Sequence, residues 1–254
     1  MSPFWYNSYM TIITSKTNNL IKKTKKLLQK KYRKESYLIE GWHLLEEAIK
    51  YKATILNIFV IDSQKKRVPQ VAPITVVSEA VLKELTLSKT PQGVIAEIKM
   101  SVNPPIKKQG RYLILEDVQD PGNVGTMIRT ADAANFDGVF ISMKTADIYN
   151  DKTLRSMQGS HFHLPIYRLE MTAILLQMKE NQIPLIATSL RKESINYKNL
   201  TKYDFFALIM GNEGQGISDL AVKQADTVVH ITMPGQAESL NVSVAAGIII
   251  FHLI

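Results

Sequence analysis

Cysteine is absent from the 254 residues, which excludes disulfides, thiolate zinc sites and cysteine nucleophiles together. Long apolar runs are missing as well. The longest, 244–251, falls far short of the roughly 18 residues that a membrane-crossing helix needs, so no membrane association is expected. Residues 1–10 carry neither a charged start nor an apolar stretch of signal-peptide length, and a cytoplasmic location is the expectation. Histidines number only five. His161 and His163 flank Phe162 with no carboxylate partner near them in sequence, which reads as structural, and no metal is expected. No internal repeat or low-complexity tract occurs.

What is present is ordinary globular composition, 45% apolar and 21% charged, in a chain long enough for two compact domains. Lysine and arginine outnumber acidic residues 31 to 23, a formal charge of +8 that suits a phosphate backbone. The densest positive stretch is 16–34, where nine of nineteen residues are basic and Leu20, Ile21, Leu27, Leu28 and Tyr32 recur at helical spacing. That stretch reads either as a solvated helix face or as an RNA-contacting one.

Strands at 37–39, 55–61, 74–77 and 93–98 alternate with helices at 42–50 and 79–85, giving a small α/β unit over 10–100. Residues 1–9 are expected to be a disordered extension, with Met10 as an alternative start. Pro104 and Pro105 beside Lys107 and Lys108 mark 101–110 as a linker. In 111–254, candidate strands at 112–115, 139–142, 183–188, 205–210 and 227–231 alternate with helical or loop segments, which predicts a parallel sheet in an α/β domain.

Three motifs sit where strands hand over to helices. Asp120-Pro-Gly-Asn-Val-Gly-Thr-Met-Ile-Arg129 places Gly122 and Gly125 for a tight turn, Asn123 as a helix cap, and Arg129 further along the helix. Met210-Gly-Asn-Glu-Gly-Gln-Gly-Ile-Ser218 packs three glycines around Glu213, with Ser218 or Asp219 to cap the next helix. Its Gly-x-x-Gly-x-Gly order is not the dinucleotide fingerprint, and it comes late in the domain, so a nucleotide-dependent oxidoreductase is disfavoured. Ile231-Thr-Met-Pro-Gly-Gln-Ala-Glu-Ser-Leu-Asn-Val-Ser243 brings Ser239, Asn241 and Ser243 to the start of an apolar helix, an uncommon density of polar groups.

In this order the three motifs resemble those of the SpoU/TrmH branch of the SPOUT RNA methyltransferases, over roughly 111–254. The preceding unit is similar, more weakly, to the ribosomal-protein-like substrate-binding domain of many ribosomal-RNA members. The resemblance implies a parallel-sheet domain with a deep trefoil knot, a homodimer, and methyl transfer from S-adenosylmethionine to a ribose 2′-hydroxyl. It implies 23S ribosomal RNA as the leading substrate, with transfer RNA or a non-catalytic RNA-binding role as alternatives. By the same resemblance the catalytic set is Arg129, Asn123, Glu213, Ser239 and Asn241, and the cofactor contacts are Thr188, Ser189, Gly211, Ile231 and Leu240. Because a guanidinium keeps its proton, Arg129 is expected to stabilise developing alkoxide charge rather than act as a base, with Glu213 orienting Arg129 or its loop. Thr232 stands where the family commonly has proline, which bears on the stiffness of that loop, and the end at Ile254 is expected to weaken the dimer.

Overall fold

The computed structural model describes residues 11–190 and 194–254, so the extension expected over 1–9 lies outside the described residues. Contacts divide the chain into two units, Met1–Ser101 and Val102–Ile254.

The first unit runs α1 (Asn19–Lys26), β1 (Ser36–Glu40), α2 (Trp42–Lys50), β2 (Ile55–Ile61), β3 (Ile74–Val77), α3 (Glu79–Leu82) and β4 (Val94–Lys99). Its sheet order is β1-β4-β2-β3, antiparallel except for the β2–β3 pair. Ile21, Phe59, Val81, Leu85 and Ile95 fill a core between this sheet and helices α1 and α3. The basic stretch is helical over less of its length than its periodicity predicts. Asn18 caps α1 through Leu20 N–H, and the helix ends at Lys26, before a single 3-10 turn at Lys30–Tyr32.

The second unit comprises β5 (Arg111–Leu115), α4 (Pro121–Ala133), β6 (Gly138–Ile141), α5 (Asp151–Met157), β7 (Ile166–Arg168), α6 (Met171–Glu180), β8 (Leu185–Thr188), β9 (Ile195–Asn196), β10 (Phe206–Met210), α7 (Asp219–Gln224), β11 (Thr227–His230) and α8 (Val242–Leu253). Seven strands form one sheet in the order β7-β6-β5-β10-β8-β11-β9, and every pairing is parallel. β6 and β10 are buried at every position, as strands covered on both faces must be. Tyr112, Phe140, Ile174, Met178, Leu185 and Ile209 form the main core, with the Phe140 and Tyr167 rings stacked 4.7 Å apart. α4 packs against α5 and α8. β7 and β9, three and two residues long, are too short to show a period in the sequence. Residues 103–107 hydrogen-bond into this unit: Asn103 Nδ2 donates to the Ile166 carbonyl (2.6 Å), and Lys107 N–H donates to the Tyr112 hydroxyl (2.7 Å).

Candidate active site

All three motifs leave carboxyl ends of strands. The first follows β5 and the second β10, neighbours on either side of the point where the strand order changes direction, which is where open α/β sheets form ligand crevices. The third follows β11.

In the first motif Asp120, not Asn123, caps α4: its carboxylate accepts Asn123 N–H (2.9 Å), with Pro121 at the helix start. Asn123 is therefore one turn inside, and its side chain is released for other work. Gly122 and Gly125 are helical too, so the turn expected of them is absent. Gly125 instead permits close helix packing, since a Cβ there would lie 2.5 Å from Ser156 Cβ and 2.6 Å from the Thr153 carbonyl on α5. Lys152 Nζ, also on α5, lies 2.7 Å from Asp120 Oδ2. That ion pair, followed by the Asn123 N–H bond, holds the Asp120 carboxyl below its ordinary range.

The second motif is a loop folded tightly on itself. Asn212 and Gly216 exchange two backbone hydrogen bonds of 2.9 Å, and Asn212 Oδ1 accepts the N–H groups of Gly214 (2.9 Å) and Gln215 (3.0 Å). Asn212 Nδ2 donates to the Asp117 carbonyl (2.9 Å), and buried Glu116 accepts Ser218 N–H (3.0 Å) at the loop's end. Ser218 caps α7. The loop leaves Glu213 facing the first motif, where its carboxylate accepts N–H groups of Gln119 and Asp120 and the Asn123 amide, each at 3.1 Å. Partial burial is the largest single influence on Glu213 and opposes its charge. The bonds from Asn123, Gln119 and Asp120 together outweigh it and hold the carboxyl below its ordinary value. Glu213 is thus a fixed anion that ties two loops, with no hydrogen bond or ion pair to Arg129 among the described residues.

Asn241 completes the junction. Its Oδ1 caps α8 through Ser243 N–H (2.9 Å), while Nδ2 donates to Asn123 Oδ1 (3.0 Å). Asn123 therefore bridges Glu213 and Asn241, one residue from each of the other motifs. Beside this bridge lies a cavity of about 710 Å³, within the usual range for a small-molecule site. Thr188, Ser189, Gly211, Ile231 and Leu240 all line it, as do Glu213, Ser239 and Asn241. Its walls suit the methyl donor: Met210, Ile217, Val229 and Ile249 offer an apolar bed for an adenine, and Gly211 brings backbone to the rim.

Arg129 stands apart. It is exposed on α4 and outside the cavity lining, one and two-thirds turns past Asn123. Sequence reasoning also missed Asp120, Asn212 and Glu116 as the residues that hold the loops; only the cap position of Asp120, ahead of Pro121, carried a signal. Thr232, the residue that bears on the stiffness of the third loop, accepts a hydrogen bond from Asn196 Nδ2 (2.7 Å). His163 pairs with Asp132 (2.7 Å), while burial first and the His163 charge second push His161 down to about 3. No cluster of three potential metal ligands occurs among the described residues.

Fold and site define a parallel-sheet α/β domain with a ligand cavity at the carboxyl ends of its strands. Residues 110–251 match the SpoU rRNA Methylase family, and residues 18–96 match the MRM3-like substrate binding domain. A Bacillus subtilis protein named 23S rRNA (guanosine(2553)-2′-O)-methyltransferase RlmP is 39% identical, over 96% of this chain and 99% of its own. A Synechocystis protein named only as an uncharacterized tRNA/rRNA methyltransferase is 34% identical, over 94% of this chain and 92% of its own. An AdoMet-bound rRNA methyltransferase structure from Sinorhizobium meliloti superposes with a TM-score of 0.87 at 30% identity, over 96% of this chain and 97% of its own. The chain belongs to the SpoU rRNA methylase family, as an S-adenosylmethionine-dependent RNA 2′-O-methyltransferase of SPOUT fold.

Proposed function

We propose that this enzyme methylates a ribose 2′-hydroxyl of 23S ribosomal RNA, and that the guanosine equivalent to position 2553 is its target. The observation that carries the assignment of the site is the Glu213–Asn123–Asn241 chain, which joins all three motifs at the rim of a cavity of donor size. The choice of RNA is supported by similarity to the Bacillus subtilis protein through both units, substrate-binding domain included. Folded RNA is recognised by shape as well as by exposed bases, which gives a separate substrate domain a purpose.

S-adenosylmethionine supplies a methyl group already activated on a sulfonium. Thr188, Ser189, Gly211, Ile231 and Leu240 hold the donor, Glu213 and Asn241 fix Asn123, and Ser239 lines the mouth beside them. Arg129 meets the RNA from the solvent side of α4 and stabilises the negative charge that grows on the 2′-oxygen. The trefoil knot and the homodimer belong to the same reading. α8 packs on α4 yet leaves Val244 and Phe251 more than half exposed, an apolar face that suits a second copy. A cytoplasmic setting, where ribosomal RNA is met, completes it.

The test is methyl transfer to total RNA, ribosomal and transfer RNA together, from cells lacking this gene, with ribose methylation mapped by nucleotide. One new 2′-O-methyl at the proposed guanosine is expected. Label confined to transfer RNA, or placed on a base, would overturn the assignment.

A further inference from the structure

We propose that the two-residue strand β9 braces the methyl-donor pocket, and that Asn196 and Thr232 are positioning residues that hold the third loop in register. The proposal rests on reading the cavity as the donor's site. β9 pairs with β11 at the sheet's edge, Ile195 against Val229 and Asn196 against His230. That register brings Asn196 Nδ2 within 2.7 Å of Thr232 Oγ1, which itself lies 3.3 Å from His230 Nε2. On the ring's other side, Ser194 Oγ is 2.9 Å from His230 Nδ1. One assignment of protons satisfies every member: Asn196 donates to the Thr232 hydroxyl, that hydroxyl donates to Nε2, and Nδ1–H donates to Ser194.

The position of this chain gives it a purpose. His230, Ile231 and Met233 line the cavity, whereas Thr232, between them, is turned outward to the brace. The loop then runs exposed through 234–238 before Ser239, Leu240 and Asn241 return to the cavity. A segment with a solvated middle is placed by its two ends. Asn241 is held by Asn123 and by α8, and Thr232 is held by Asn196. A side-chain clamp at this point limits the loop by fixing the Thr232 hydroxyl.

The experiment is a double-mutant cycle read by calorimetric titration with S-adenosylhomocysteine, alongside steady-state methylation of RNA. Thr232→Val and Asn196→Ala should each weaken the product analogue about two- to fivefold, the lower range for a partly exposed hydrogen bond. The double variant should lose less than the product of the two single losses, because the Asn196–Thr232 bond is removed in both, while Thr232→Val alone also removes the His230 contact and Asn196→Ala alone the bond from Lys198 N–H. Thr232→Ser should bind as the native chain does. The KM for the donor should rise with kcat at saturation and the KM for RNA unchanged, a split that general loss of stability does not produce. Native affinity in both single variants, or a double variant whose loss is the product of the two, overturns the brace. Failure of the native protein itself to bind S-adenosylhomocysteine or S-adenosylmethionine instead overturns the reading of the cavity, and the brace with it.

Discussion

Gly211→Ala tests the second motif at its tightest point. A Cβ built on Gly211 lies 2.3 Å from the Gly216 carbonyl carbon, 2.4 Å from its oxygen and 2.5 Å from Ile217 N. All three are backbone atoms, so no rotamer change relieves the contact. Restoring ordinary separation requires the Gly216–Ile217 peptide to move by about 1 Å, against close-packed surroundings. That peptide is held by the Asn212–Gly216 pair of hydrogen bonds at 2.9 Å and by the Ser218–Glu116 bond at 3.0 Å. Overpacking strain of about 1–3 kcal/mol, plus about 0.5–1.5 kcal/mol for each backbone bond weakened, gives a local cost on the order of 2–5 kcal/mol. Because the displaced residues line the cavity, donor affinity should fall at least tenfold, equivalent to about 1.4 kcal/mol of that cost. The Tm should fall by roughly 4–8 °C for each 2 kcal/mol lost. Calorimetric titration with S-adenosylhomocysteine and a thermal melt read both effects. Gly214→Ala is the control, since its Cβ meets only Asn212 Oδ1 at 3.7 Å. If Gly211→Ala bound within twofold of native and melted at the same temperature, the account of this loop as a backbone-limited turn would be refuted.

Arg129→Lys should lower kcat by about a hundredfold, the usual loss when a charge-stabilising donor is misplaced, while donor affinity stays native because Arg129 lies outside the cavity lining; near-native turnover would remove it from the chemistry. His161 is held at about 3 by burial and by the His163 charge, so below its ordinary value near 6.5 the unfolded chain binds a proton that the folded chain refuses. Stability should therefore fall as pH drops through that window, by on the order of 1 kcal/mol between about pH 7.5 and 5.5, and urea melts of His161→Gln should lack this contribution. On α1, Lys22, Lys23 and Lys26 have no acidic partner among the described residues, whereas Lys16 and Lys25 are tied to Glu84 and hold its carboxyl down to about 2. If that face meets RNA, changing these three lysines to glutamine should reduce the salt dependence of RNA binding by about two to three ions, and Lys16→Gln should have less effect. An unchanged slope would leave α1 a solvated face.

Local chemistry made much of this protein legible. Buried strands such as β6 and β10 announce themselves as unbroken apolar runs, because a strand covered on both faces tolerates little else. The glycine spacing around Glu213 and the polar entry to α8 marked the loops that line the cavity, and a family resemblance supplied the roles. Division of labour within those loops was not legible. Asn123 and Asp120 are both good caps, and local propensity does not decide between them; the structure gives the cap to Asp120 and frees Asn123. The basic stretch has helical periodicity throughout, yet helix and 3-10 turn divide it. β9 is two residues long and exists only because β11 is there to pair with it.

Composition, burial periodicity and motif order, all properties of near neighbours in the chain, thus specified the class of fold and the segments that build the site. Which atoms meet was a matter of long-range closure. Asn123 reaches Glu213 across 90 residues and Asn241 across 118, and Asn196 reaches Thr232 across 36. Contacts over such separations leave no period in the sequence, because they arise when the parallel sheet brings the ends of distant strands to one edge.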